Sequence, residues 1–555
     1  MKEKLIQKVR SSVIGEKQLF ETCFGLKPLI YADYTASGRA LEFIEQYIRN
    51  HVLPFYANTH SESSYTGGHT GALREQARNI IRRSLNCGED DRVIFCGSGA
   101  TAAINKLIDI LNLRLPADLA ERHQLDRQIP ADQRPVVFIG PYEHHSNELP
   151  WRESIAELIV IPLDNEGCLD IDVLESELEK NRERPVKIGS FSAASNVTGI
   201  KTDVNRVSAL LHAYDAYVLW DYAAAAPYMG VDMNSTSAYG DSSKDAVFIS
   251  THKFIGGPAT PGILVVKKHL LKNSVPAVPG GGTVLYVSPQ AHRYIDDRER
   301  REEGGTPAIV ESIRAGLVFK LQQDIGTDYI EARERQLIGR AFSRWEKYDN
   351  IEILGSTTAE RLSIVSLRIK YQNKDLHYGF VVALLNDLFG VQARGGCSCA
   401  GPYGHALLNM DMAYSNALEK EILKGNMLLR PGWVRLNFNY FIDEDSFDYL
   451  VKAVALIAEH GWRLLPFYDF DTDGGTWRYQ NKKVLVKNDL FSVDFLSTPS
   501  VNKDAGKSQV KLDEYLQLAT QTLLGEHSAQ RYEVPLTESA EKLRWFVLPQ
   551  EIVFE

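Results

Sequence analysis

Between residues 92 and 266, short apolar runs recur, each separated from the next by longer stretches with helical spacing. They are Arg92–Cys96, Pro135–Ile139, Leu158–Pro162, Lys187–Ser190, Tyr217–Trp220, Val247–Ser250 and Gly262–Val266. Strands that alternate with helices build βαβ units, so the segment predicts a seven-stranded, mainly parallel sheet with helices on both faces. Sheets of this kind bind ligands just outside the carboxyl ends of their strands. The polar residues that follow each run are therefore the ones to read.

The flanks are organised differently. Leu5, Val9 and Val13 carry helical spacing at the start, and a second helical run covers Leu41 to about Val52. Residues 54–72 are rich in Ser, Thr, Gly and His and predict a polar loop. A glycine-rich, charged stretch from Pro279 to Pro307 breaks the rhythm before a helical pattern from Ala308 to about Gln323. Residues 350–465 mix strand-like RLSIVSLRIK, helical HYGFVVALLNDLFG and strand-like GWVRLNFNYF, as an α+β unit would. The expected division is an N-terminal helical segment (1–30) packing with the small domain, a large domain (31–307), a smaller α+β domain (308–468) and a C-terminal extension (469–555) of unassigned role.

Composition narrows the function. The 555 residues are 44% hydrophobic and 24% charged, as in ordinary globular proteins. A formal charge of −10 opposes nonspecific binding to nucleic acid or anionic membrane. No run approaches the roughly 18 apolar residues of a membrane span, and the first residues do not read as a secretory signal. Six cysteines (Cys23, Cys87, Cys96, Cys168, Cys397, Cys399) in so long a chain are not a disulfide framework. The expectation is a cytoplasmic protein with a small-molecule ligand.

Four sites at strand ends carry chemistry. After Arg92–Cys96, the residues Gly97, Ser98, Gly99, Ala100 and Thr101 open a helix, whose free N–H groups suit a phosphate. The same residues fit G-x-G-x-x-A, so a dinucleotide site and a plain tight turn stay open. Glu143-His144-His145-Ser146-Asn147 follows the next run. Adjacent histidines diverge and no third ligand lies at useful spacing, so a stacking imidazole fits better than a metal site. Asp221 ends the run YVLW, as a carboxylate at a strand end or as a helix N-cap. Lys253, in STHKFIGGPATPG, directly follows another strand. A desolvated lysine there loses its proton readily and becomes an amine nucleophile for a Schiff base.

The order FCGSGATAAIN, EHHSN, SNVTGIKTDV, WDYAAA, STHKFIGGPATPG, GGGT and EEGGTPA resembles the class V aminotransferases, fold type I enzymes that use pyridoxal 5′-phosphate. The likeness runs from about Tyr31 to about Ala458, and the branch it resembles most is that of the cysteine desulfurases and selenocysteine lyases. It implies an α/β large domain with a smaller α+β domain, and a homodimer. Lys253 would carry the cofactor as a Schiff base and move the Cα proton. Asp221 would pair with the pyridine nitrogen, and His144 would stack on the ring, with His145 as the other choice. Gly99, Ala100, Thr101, Ser250 and His252 would hold the phosphate, and Thr306 would reach the phosphate of the neighbouring subunit. Asn196 would face the ring hydroxyl or the substrate carboxylate. Arg394 and Arg435 resemble the carboxylate clamp, with His60 and His69 competing for a further role near the substrate. Cys399 stands five residues after Arg394, as in the branch whose R-x-G-x-x-C cysteine takes sulfur from cysteine, leaves alanine and passes the sulfur to an acceptor protein; Cys397 competes with it.

Three departures matter. Ala224 stands where the branch has an amide, the histidine-containing loop is longer, and about ninety residues follow Phe467. They leave open an aminotransferase, epimerase or carbon–sulfur lyase acting on another amino acid. A binding protein that kept the fold without catalysis is a third expectation.

Overall fold

The computed structural model describes residues 2–59, 63–472, 474–480, 491, 496 and 510–554. Helices α1 (Lys2–Ser12) and α2 (Tyr65–Ser84) precede β1 (Asp91–Cys96), α3 (Gly99–Ile110), β2 (Val136–Ile139), β3 (Glu157–Val160), β4 (Lys187–Ser192), β5 (Tyr217–Asp221), β6 (Ala246–Ser250) and β7 (Gly262–Lys267). The seven strands form one sheet in the order β1-β7-β6-β5-β4-β2-β3. Strand β7 is antiparallel to both neighbours, and the other pairings are parallel.

The sheet is apolar on both sides because its strands alternate between two cores. Val93, Phe95, Val136, Phe138, Val218, Trp220, Val247 and Ile249 face one layer, with Ile6 and Val9 of α1 and Ile81 of α2. Ile94, Val137, Ile139, Leu219, Phe248 and Leu264 face the other, against Ala103, Ile104 and Leu107 of α3. That burial on both faces is what made the runs continuous rather than alternating.

A second core lies under a smaller antiparallel sheet. After α4 (Ile309–Ile325) come β8 (Ile351–Ile353), β9 (Ile364–Tyr371), β10 (Lys374–Leu376), α5 (Tyr378–Phe389), β11 (Arg394–Gly396) and β12 (Trp433–Asn437). Their order is β8-β9-β12-β11, with β10 on the other side of part of β9.

Several boundaries differ from expectation. Only Lys2–Ser12 of the first thirty residues is helical; Leu19–Thr22 and Gly25–Pro28 form an antiparallel hairpin. Helix α1 buries Ile6 and Val9 in the first core, not the second. Residues 54–72 are not all loop, since α2 begins at Tyr65, where Ser64 Oγ accepts from Gly67 N–H and caps it. Helix α4 buries Ile309, Ile313, Val318 and Phe319 in the first core, so the change of core lies beyond residue 308. The extension is not a separate appendage. Hairpin β13 (Tyr468–Asp471) and β14 (Thr476–Tyr479), helix α6 (Leu512–Leu524) and residues up to Ile552 bury Tyr468, Trp477, Leu516, Leu523, Phe546 and Leu548 in the second core.

Candidate active site

The carboxyl ends of β1, β2, β4, β5 and β6 open onto one cleft of about 830 Å³, continuous with solvent. Gly99, Ala100, Thr101, His144, Asn196, Asp221, Ser250, His252 and Lys253 all line it, joined by Arg394, Cys399 and Arg435 from the second domain. Helix α3 starts here with Gly99 at φ +57°, a conformation that favours glycine. A Cβ on Gly262 would stand 2.0 Å from the Gly99 carbonyl oxygen, so β7 passes against the backbone of this turn only because Gly262 lacks a side chain. Ser250 Oγ accepts from Ala100 N–H at 2.9 Å, and Thr101 Oγ1 lies 2.6 Å from Ser146 Oγ. The result is a helix N-terminus ringed by hydroxyls, a setting that favours an anion.

Lys253 follows β6 in a short 3₁₀ turn, Thr251–Lys253. Burial pulls its amine from 10.5 down to about 8; Asp221 opposes that shift, and Arg435 and Arg394 add to it. Burial also raises the Asp221 carboxyl, against a hydrogen bond from Ala223 N–H at 2.8 Å and the charge of Lys253. His144 is held near 3, by burial first and by Lys253, His145 and Arg435 after it, so its ring is neutral at physiological pH. Its Nδ1 accepts from Ser146 N–H at 3.1 Å, which assigns the ring proton to Nε2. Burial and the charge of Lys253 likewise lower His252 to about 4.

The two adjacent histidines divide their roles. His144 faces the cleft, whereas His145 fastens the cysteine loop. Its N–H donates to Cys399 O at 2.8 Å, and its Nε2 accepts from Gly401 N–H at 3.0 Å. Asn196 Nδ2–H adds a bond to Ser398 O at 2.8 Å. Ser398 and Cys399 are both left-handed, at φ +55° and +57°, a backbone that non-glycine residues adopt at a cost of about 1 kcal/mol each. Three bonds from the large domain hold that turn, with both Cys397 and Cys399 exposed.

Both arginines converge on a residue the sequence reading passed over. Asp33 Oδ2 accepts from Arg394 Nε–H at 3.0 Å, and its Oδ1 accepts from Arg435 Nη2–H at 2.9 Å. Arg435 is 3% exposed and also donates through Nη1 to Asn196 O. Arg394 is half exposed and spends only Nε on Asp33, so its terminal nitrogens are without a hydrogen bond among the described residues. Asp33 reaches this position because Ile30–Tyr31 pairs in parallel with Val391–Gln392, just before β11. Asn196 Oδ1, Ser398 Oγ and Arg435 Nε are buried with no hydrogen-bond partner among the described residues.

Of the remaining expected residues, Thr306 is expected at the neighbouring subunit's site rather than at this one, and His69 lies elsewhere. Thr306 is exposed, accepts from Asn58 Nδ2–H at 3.2 Å and does not line the cleft. His60 lies outside the described residues. His69 sits on α2, stacked on Tyr65 and away from the cleft. Behind His144, Glu143 is fully buried and accepts from Gly140 N–H, Ser192 N–H, Ser192 Oγ–H and Asn147 Nδ2–H, tying its loop to β4.

Known proteins give the same reading of the fold. The chain is 28% identical over 384 residues to a probable cysteine desulfurase of Halalkalibacterium halodurans, covering 68% of this chain and 85% of that protein. It is 26% identical over 395 residues to one of Staphylococcus epidermidis, covering 70% and 88%. The solved apo cysteine desulfurase of Thermococcus onnurineus superposes with a TM-score of 0.64 at 21% identity, over 82% of this chain and 98% of that one. One from Escherichia coli gives 0.62 at 20% over the same shares. At those identities the two structures show the fold, that of the pyridoxal phosphate enzymes of fold type I. The family model for aminotransferase class V matches residues 30–414, which contain every residue named here in the cleft except Arg435, and the chain belongs to that family.

Proposed function

We propose that this enzyme binds pyridoxal 5′-phosphate and removes sulfur from L-cysteine, with Cys399 as the acceptor and alanine as the other product. The observation that carries the reading is the meeting of Lys253, Asp221 and His144 with Cys399 and Arg394 around one cleft. The residues present fit the cofactor. The start of α3 with Ser250 and His252 would hold its phosphate, His144 would stack on the ring, and Asp221 would face the pyridine nitrogen. The unpartnered Asn196 Oδ1 supports a further polar contact there. Bound there, the cofactor supplies an electron sink for charge developing at the substrate Cα.

The chain's own residues supply the rest. The exposed end of Arg394 would take the substrate carboxylate through two parallel hydrogen bonds. Lys253, uncharged in a useful fraction near neutral pH, would accept the Cα proton at Nζ. The Cys399 thiolate would attack the substrate sulfur. A sulfur–sulfur bond forms as the Cβ–sulfur bond breaks, the Cys399 thiol proton is lost, and Cβ is protonated, so cysteine becomes alanine and Cys399 a persulfide. The test is L-cysteine with a reductant and the cofactor-loaded enzyme. Catalytic alanine with matching sulfide is expected, and no alanine overturns the reading. Cys399→Ser should abolish sulfide release and keep the cofactor absorption; retained activity removes Cys399 from the role.

Ala224 supports a second reading. It lines the cleft where the related branch carries an amide, which favours an aminotransferase, epimerase or lyase acting on another amino acid. Turnover of a sulfur-free amino acid would select it. A homodimer is supported by Thr306, exposed beside Asn58, and by the exposed side chains of Leu285, Tyr286 and Val287 on the neighbouring hairpin. Six free thiols fit the reducing cytoplasm, where an acceptor protein would collect the sulfur from the exposed Cys399.

A further inference from the structure

The family match ends at residue 414, well before the C-terminal extension. The extension nevertheless packs on the start of α5, beside the strand that carries Arg394. Its first contact is Trp477 on β14, whose Nε1–H donates to His377 Nδ1 at 3.0 Å. His377 caps α5, because the same Nδ1 accepts from Gly379 N–H at 3.0 Å while Nε2–H donates to Leu428 O at 3.1 Å. Two donors at Nδ1 and an acceptor at Nε2 fix a neutral ring.

The second contact is the segment 543–547. It is pinned by Asp375 N–H to Trp545 O, Val547 N–H to Asp375 O and Tyr414 O–H to Leu543 O. Trp545 Nε1–H donates to Leu429 O at 3.2 Å. Its indole stacks on His377 at 5.3 Å and lies within 11° of parallel to the Tyr378 ring at 6.1 Å.

Tyr378 passes that restraint to the cysteine loop. A Cβ on Gly395 would stand 2.8 Å from Tyr378 Cδ2, and one on Gly432 would stand 2.8 Å from Tyr378 Cε1 and 2.7 Å from Gly396 Cα. The ring therefore rests directly on backbone of β11 and of the turn before β12, at glycines that leave no side chain between. Strand β11 begins with Arg394 and runs straight into Cys397 and Cys399. His145 and Asn196 hold the far side of this loop from the large domain; Tyr378 holds its near side.

We propose that the extension is a brace for the sulfur-accepting loop: Trp477 and Trp545 fix the start of α5, and Tyr378 thereby sets where β11 presents Arg394 and Cys399. These are positioning residues. The effect on catalysis rests on the function proposed above; the effect on the loop does not. The test uses the full-length, cofactor-loaded protein with Trp545→Ala, Trp545→Phe, Tyr378→Ala and Tyr378→Phe. Amide hydrogen exchange over residues 394–400 and the alkylation rate of Cys399 should each rise about tenfold in both alanine variants. Exchange in helix Gly99–Ile110 and the cofactor spectrum should stay unchanged, and the phenylalanine variants should stay within about twofold of the parent. With L-cysteine, kcat/KM should fall about tenfold in the alanine variants alone. Unchanged exchange and alkylation at 394–400, with loosening confined to 540–548, would overturn the brace. Tyr378→Ala leaves every hydrogen bond that anchors the extension in place, so it decides the matter even where Trp545→Ala fails to fold. Absence of L-cysteine turnover by the parent would remove the functional reading and leave the exchange result to judge the brace alone.

Discussion

Lys253 offers a quantitative check on the site. An ordinary lysine amine titrates at 10.5, and burial brings this one to about 8. At pH 7.5 about a quarter of Lys253 amines are then uncharged, against about one in a thousand for an exposed lysine, so nucleophilic amine is roughly 200-fold more abundant. Trace acetylation of the cofactor-free protein with acetic anhydride, normalised to free phenylalanine, reads this directly from the Lys253 peptide. The labelling midpoint should fall near 8, and in Asp221→Asn it should fall lower, because the carboxylate that favours the ammonium is gone. The sign carries into stability. Between about 8 and 10.5 the unfolded chain binds the proton that the folded one has lost, so stability rises with pH across that window. The gain is about 3 kcal/mol at most, and below 8 it is absent. A labelling midpoint at 10 or above, or an unchanged midpoint in Asp221→Asn, would refute the reasoning that burial against Asp221 tunes this amine.

Three further outcomes follow from single contacts. Asp33→Asn removes the one carboxylate shared by Arg394 and Arg435 and should cost about 3 kcal/mol in denaturant unfolding; added L-alanine should restore part of it by supplying a carboxylate. His145→Ala deletes the imidazole acceptor of the Gly401 N–H and should speed Cys399 alkylation several-fold without altering the cofactor spectrum. Glu143→Gln sets an amide donor among four donors and should lose about 1–3 kcal/mol of stability, as read by thermal unfolding.

The large sheet was legible because every strand except the edge strand β3 is buried on both faces, which writes it as an apolar run with polar chemistry at its end. The strand-end lining of the cleft was legible for the same reason, since Gly99, His144, Asn196, Asp221 and Lys253 sit at those ends. The start of α2 was hidden because Thr, Gly and His fill its first turns; its helical state comes from the Ser64 cap and from packing, not propensity. Asp33 was illegible for another reason. It lies 361 and 402 residues from its two arginines, and no local spacing encodes a parallel pairing of Ile30–Tyr31 with Val391–Gln392. The extension's packing was hidden in the same way, since its tryptophans meet His377 and Tyr378 about a hundred or more residues away.

The proposed base and the proposed nucleophile make opposite demands on the chain. Lowering a lysine to about 8 needs burial, and Lys253 obtains it from a turn between the sheet and α4, with Phe254 packed on Phe319. A thiol that takes sulfur and hands it on must stay open to solvent, as Cys399 does. No single element can be both closed and open, so the amine sits at the end of a buried strand and the thiol on a loop of the other domain. The cost of that separation is precision, because a loop with consecutive left-handed residues does not hold itself. His145 and Asn196 on one side and Tyr378 on the other supply the missing restraint. The polar network around Cys399 thus belongs to the proposed chemistry as much as the residues that line the cleft do.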